Sequence, residues 1–170
     1  MSPDQIFLQV SADKLDQLAG RIATCLGQLT PEQVWARGTE NVNAVGNLVL
    51  HLCGNVRQWI GFGVAGQPDI RQRDAEFAAR GGPSLDELKA HLHAAVSAAS
   101  AIIRELPPSE LGTLTRIQNY EITKLQAIYH VVEHFSGHTG QIIFATKFLT
   151  GADLGFYRHL AAPRHEEKTP

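Results

Sequence analysis

The sequence predicts an all-α protein built as a four-helix bundle. Three observations carry this. Apolar residues recur at every third or fourth position through four long segments. Ser/Thr-x-x-Glu/Gln caps stand just ahead of the helical segments. No clear strand pattern competes with them, and bundles with short or long connections are the way such amphipathic segments bury their stripes. A chain of 170 residues is long enough for one domain with its own core. We place that domain at residues 1–160 and read 161–170 as a loose polar tail.

The first helix opens at Ser2-Pro3-Asp4-Gln5, where serine caps, proline takes the first helical position and glutamine closes the box. Leu15, Leu18, Ile22, Leu26 and Leu29 keep its register, so it is expected from Pro3 to about Leu29. Thr30-Pro31-Glu32-Gln33 repeats the same grammar and opens a short turn through Trp35. The second long helix is expected from an Asn43 cap to about Val64. Its apolar side holds Val45, Leu48, Val49, Leu52, Val56, Trp59 and Ile60. Gly66 to Pro83 reads as a linker rich in Gly, Pro and charge. Extended, it spans on the order of 60 Å at ~3.3 Å per residue. The second helix is on the order of 33 Å long at ~1.5 Å per residue, so the linker can cross the whole bundle. Ser84-Leu85-Asp86-Glu87 caps the third helix, which Pro107-Pro108 stops. Thr113 to Tyr120 reads as an irregular connection with a short extended piece at Leu114 and Ile117. The fourth helix is expected from about Ile122 to Leu149, ended by Thr150-Gly151.

Composition narrows the function. Fifteen Lys and Arg against seventeen Asp and Glu give a formal charge of −2, and no basic cluster points to nucleic acid. Cys25 and Cys53 belong to no CxxC and read as free thiols in a reducing compartment. The first residues lack the basic run and apolar stretch of a secretory signal. No apolar stretch reaches the ~20 residues of a membrane span. A cytoplasmic protein is the simplest expectation.

Chemistry concentrates in the fourth helix. His130, His134 and His138 recur every four residues, and at ~3.6 residues per turn they stack along one side. The residues around them are mostly apolar, and a buried imidazole without a partner costs about 1–3 kcal/mol. A metal ion satisfies such a set. A lone HxxxH pair is weak, however, and needs a ligand from elsewhere. The second helix offers one in a polar stripe of Asn47, His51, Asn55 and Gln58. His51, His134 and His138 then form a three-imidazole set from two facing helices. Such a set leaves coordination positions open, as catalytic metal sites do. Asn47, Asn55 and Gln141 sit one turn from these histidines, where an amide can bond the second ring nitrogen or a metal-bound water. His130 reads as a bundle-end residue, a proton shuttle or a fourth ligand.

At these residues the chain resembles the DinB-like (DinB/YfiT) superfamily, and a subgroup of uncharacterised DinB-like domains in particular. The matching stretches are Asn43–Ile60 (NAVGNLVLHLCGNVRQWI), Arg71–Phe77 (RQRDAEF), His130–Lys147 (HVVEHFSGHTGQIIFATK) and Cys25–Trp35 (CLGQLTPEQVW). The resemblance thus covers nearly the whole chain, and an HxxxHxGQ run paired with an upstream HLxGN is fairly specific. It implies up-down-down-up connectivity and a divalent metal, zinc or nickel, on the histidines matching His51, His134 and His138. It implies no role for Arg71–Phe77 and leaves His130 out of the metal set. Some relatives are thiol-dependent transferases or isomerases.

Three functions follow as expectations. The first is a metal-dependent thiol S-transferase acting on a small electrophile with a low-molecular-weight thiol. The second is a metal-dependent hydrolase, weakened because no Glu or Asp near the histidines in sequence offers a general base. The third is a non-catalytic, metal-binding or stress-related dimer. A homodimer is expected in any case, because Trp59, Ile60, Phe62 and the broad apolar surface of the fourth helix exceed what one small bundle buries.

Overall fold

The computed structural model describes residues 1–161, so the expected tail lies almost wholly outside the described residues. The chain is mostly helical. Helix α1 spans Pro3–Leu26 and α2 is the single turn Pro31–Val34. Helix α3 spans Val45–Val56 and continues as a π-helical segment, Arg57–Phe62. A short α4, Arg73–Ala78, interrupts the crossover. Helix α5 spans Leu85–Glu105 and α6 spans Lys124–Thr150. No helix among the described residues is long and apolar enough to cross a membrane.

The caps account for most helix starts. Ser2 with Gln5, Thr30 with Gln33 and Ser84 with Glu87 each form the reciprocal box read from sequence. A fourth box, Thr123 with Gln126, starts α6 two residues later than the apolar pattern suggests. Helix α3 lacks a side-chain N-cap of its own at Ala44, one residue past the expected Asn43 cap. The Oδ1 of Asn47 accepts from the Ala44 N–H at 3.2 Å in its place. Gly151, at φ 67°, ends α6 in the left-handed conformation that favours glycine.

One expectation is corrected in part: the extended piece at Leu114 and Ile117 is present, but it is a paired strand and the connection is not irregular. The stretch before α6 is a two-stranded antiparallel hairpin, β1 Leu114–Ile117 with β2 Tyr120–Thr123, in which Ile117 pairs with Tyr120. Its two-residue turn holds Gln118 at φ 50° and Asn119 at φ 67°, the handedness that matches strand twist. The strands are too short for the alternation rule to detect. The hairpin docks on the π-helical segment. A Cβ on Gly63 would overlap the Ile117 side chain, so glycine there permits the close approach.

Helix α1 packs on α5 and α6, and α3 packs on the same two helices. Arg104 bonds Asp13 and Asp16, and Ser100 bonds Asp16, which ties α5 to α1. The core between the four includes Leu15, Ile22, Leu52, Leu92, Ile103, Ile128 and Phe135, all buried. Each Leu-sized side chain there contributes about 1.5–3 kcal/mol. Trp59 and Ile60 belong to this core, at 5% and 0% exposure, and so do not argue for a dimer. The large apolar residues α6 does expose include Tyr129, Phe144 and Phe148.

Candidate metal centre

His51 projects from the middle of α3 towards α6, where His134 and His138 sit one turn apart. One nitrogen from each of the three rings lies within 4.8 Å of the other two. The Nε2 atoms of His51 and His134 are 3.1 Å apart. The His138 ring lies 4.5 Å from that of His134 and 5.0 Å from that of His51, centroid to centroid. His130 is half-buried and outside this group. Its ring packs against that of Trp59 at a tilt of 43°, centroids 4.1 Å apart, one turn from His134. Because His51 meets His134 and His138 while Trp59 meets His130, α3 and α6 run antiparallel.

The outer nitrogens decide which atoms face inward. His51 Nδ1 lies 3.1 Å from Glu76 Oε2 and 3.1 Å from Arg71 Nη2. A guanidinium cannot accept a proton, and Arg71 Nη2 already donates to Glu76 Oε2 at 2.9 Å. We therefore assign the His51 Nδ1 proton to the carboxylate. His138 Nδ1 donates to Gln141 Oε1 at 2.7 Å. The Nε2 atoms of both rings are thereby left with lone pairs. His134 Nδ1 is buried without a hydrogen-bond partner among the described residues.

Glu76 was not foreseen. It arrives from α4, in the Arg71–Phe77 run, and is buried behind His51. Arg71 Nε and Nη2 grip its two oxygens at 2.9 Å each, and Arg71 Nη1 donates to Gln58 Oε1 at 3.0 Å. Burial pushes the Glu76 carboxyl up, but the hydrogen bonds and charges of Arg71 and His51 outweigh it and hold it below the usual carboxylate range. A Cβ on Gly54 would overlap Glu76 Oε1, which makes glycine the residue that lets the carboxylate lie flat on α3. Phe77 adds a ring 4.6 Å from that of His51.

The expected amides divide. Gln141 bonds a ring nitrogen, as above. Asn47 bonds the crossover instead, donating to the carbonyls of Glu76 and Ala79 at 2.9 Å each. It fixes α4, and through α4 the carboxylate that holds His51. Asn55 is buried, and its Oδ1 has no hydrogen-bond partner among the described residues. A cavity of about 330 Å³ backs onto Arg71 and Glu76 from the outer side of α3, and none of the three histidines lines it.

The cluster suits a cation. Burial lowers the His134 pKa to about 3, helped by the charges of its neighbours. Burial also lowers that of His138, against the raising effect of Gln141. Both rings are then neutral, lone-pair donors at neutral pH. The Nε2 atoms of His51 and His134, 3.1 Å apart, fall well inside twice the ~2.0–2.1 Å of a Zn–N bond, so one ion reaches both. Anchoring of the outer nitrogens on a carboxylate and an amide is the usual support of metal-bound imidazoles.

Fold and site define the class as a helical protein with a buried three-histidine cluster compatible with a metal ion. The particular family is a protein family of unknown function, DUF1572, whose model matches residues 3–166, and the chain belongs to it. No curated protein matches the chain.

Proposed function

We propose that the protein is a metal-dependent enzyme on a DinB-like four-helix bundle, transferring a small electrophile onto the sulfur of a thiol. The observation that carries this is the convergence of His51, His134 and His138, with the outer nitrogens of His51 and His138 held by hydrogen bonds to Glu76 and Gln141. The antiparallel pairs α1 with α5 and α3 with α6, with α1 and α6 joined near their C-terminal ends by the Cys25–Thr146 contact, support the up-down-down-up order. A bound divalent ion, zinc or nickel, supplies the charge that lets a thiol ionise at neutral pH. The three imidazoles would hold the ion and, as uncharged ligands, would leave its charge in place. Glu76 fixes the tautomer and orientation of His51, Gln141 does the same for His138, and Phe77 covers the His51 ring. The sulfur electron pair would form the new S–C bond while the electrophile's C–O bond breaks, as in opening an epoxide, and the proton lost by the thiol passes through solvent to the oxygen released from that carbon.

A hydrolase fits less well. Glu76 supplies the carboxylate missing from the sequence reading, but it lies on the outer nitrogen of His51 and is spent on Arg71. It is not placed to deprotonate water on the inner side. We also propose a cytoplasmic homodimer joined through the exposed Phe144 and Phe148, whose rings stack at 6.3 Å; sedimentation at micromolar concentration tests it.

The test of function is thiol-dependent loss of an epoxide, with metal-loaded and metal-free protein side by side. Consumption that needs protein, thiol and metal together supports the proposal. Ester or amide turnover without thiol favours the hydrolase, and inertness in both assays favours a non-catalytic metal-binding protein.

A further inference from the structure

Phe77, the residue that stacks on His51, stands among three guanidiniums. Arg73 holds its guanidinium carbon 5.0 Å from the centroid of the Phe77 ring. Arg37 Nη2 and Arg80 Nη1 each donate to the Phe77 carbonyl at 3.1 Å. No ion pair forms between any of the three and a carboxylate among the described residues. Arg37 bonds the carbonyls of Val42, Phe77 and Ala79 and the amide of Asn47. Arg80 bonds the carbonyls of Phe77, Ala78 and Ala79. Carbonyl oxygens satisfy an N–H group but do not cancel its charge.

The carboxylates on this element leave the excess in place. Glu76 is gripped by Arg71, and Asp74 forms no ion pair among the described residues. Arg37, Arg73 and Arg80, all outside ion pairs among the described residues, thus outnumber Asp74, the α4 carboxylate outside one. Like charges brought together repel, and a concentration of one sign beside a cleft draws the opposite sign. Arg37 and Arg80 are committed to backbone oxygens. Arg73 is exposed, and its fork makes no hydrogen bond among the described residues. A guanidinium with both prongs open matches the two oxygens of a carboxylate. The Phe77 ring touches both, its centroid 5.0 Å from the Arg73 guanidinium carbon and 4.6 Å from that of the His51 ring, so the fork lies within about 10 Å of that imidazole.

We infer that Arg73, reinforced by the charge of Arg37 and Arg80, receives a carboxylate on the small molecule whose other end reaches the three-histidine centre. This deepens the functional reading above: the thiol or its electrophile is an acid, not a neutral molecule.

The experiment uses the full chain loaded with cobalt(II) and two probes, mercaptobutyrate and mercaptobutanol. They share a four-carbon chain with sulfur at one end and differ in charge at the other. Sulfur-to-cobalt charge-transfer absorption gives a Kd for each. The acid is expected to bind about tenfold tighter, as one charge-assisted contact of ~1.4 kcal/mol provides. That preference should shrink with added salt. In Arg73→Gln it should fall to near equality with cobalt content unchanged, and Arg73→Lys should retain part of it. Equal affinities in the wild type, or a preference that survives Arg73→Gln, overturn the inference. If neither probe gives the absorption band, the thiol reading fails, and glutarate then decides the carboxylate site separately. Titrated into the same chain without cobalt, glutarate should shift the Arg73 Nε–H resonance in nitrogen-edited NMR to saturation. No shift overturns the site.

Discussion

Removing the Glu76 carboxylate is the perturbation whose size the structure fixes best. Glu76 accepts from Arg71 Nε and Nη2 at 2.9 Å and from His51 Nδ1 at 3.1 Å. The Arg71 and Glu76 side chains are 3% and 10% exposed, so solvent cannot replace either partner. Glu76→Ala leaves a buried guanidinium with Gln58 as its remaining side-chain acceptor. Breaking a buried pair from one side costs about 3–5 kcal/mol. Glu76→Gln keeps an acceptor but loses the charge, and hydrogen bonds to charged groups are worth about 1.5–3 kcal/mol each, so about 2–3 kcal/mol is expected. The double variant Arg71→Met with Glu76→Leu removes both charges and should be clearly less destabilised than Glu76→Ala. Urea unfolding of metal-free protein, followed by circular dichroism, reads these values from the midpoint at unchanged slope. Metal affinity of Glu76→Gln should fall about 10- to 100-fold, because His51 loses the group that orients it. A Glu76→Ala protein within about 1 kcal/mol of wild type, or a double variant at the sum of its single changes, refutes the reasoning.

Two further outcomes follow. In metal-free protein, His134 stays neutral in the fold down to pH about 3, whereas the unfolded chain takes up a proton near 6.5. Stability should therefore fall as pH drops below 6.5, with a slope of at most ~1.4 kcal/mol per pH unit for this one group. The depressed carboxyl of Glu76 adds a loss of the same sign at lower pH, as it is protonated through its folded pKa. Urea midpoints across this range check it, and His134→Gln should flatten the upper part of the profile. Separately, Gly54→Ala places a methyl group into Glu76 Oε1 and should weaken metal binding while the helical circular dichroism persists. Unchanged affinity in that variant would show that Glu76 does not position His51.

Much of the helical framework was legible because capping boxes and apolar periodicity are local signals. The Ser2, Thr30 and Ser84 boxes were readable residue by residue. The Thr123 box was equally present, but apolar Ile122 beside it drew the helix start two residues too early. The π-helical turn at Arg57–Phe62 leaves no mark in sequence, because the same apolar spacing serves an α-helix. The three histidines were legible because two share one helix face and the third lies in a stripe free of Lys and Glu. Glu76 and Arg71 were not, since they reach His51 from a crossover 20 to 25 residues away, and no helical period links those positions. The Arg71–Phe77 run stood out as a motif without a role. Its role here is that of a clamp: α4, tied down by Asn47, sets Glu76 on His51 and Phe77 across its ring.

The central claim is that His51, His134 and His138 hold one divalent ion. Anomalous difference density, collected at the zinc edge from crystals grown with zinc and without chelator, tests it most directly. One peak per chain is expected, about 2.0–2.1 Å from the Nε2 atoms of all three histidines. No peak there at saturating zinc, or a peak held by His130 in place of any one of the three, would contradict the account.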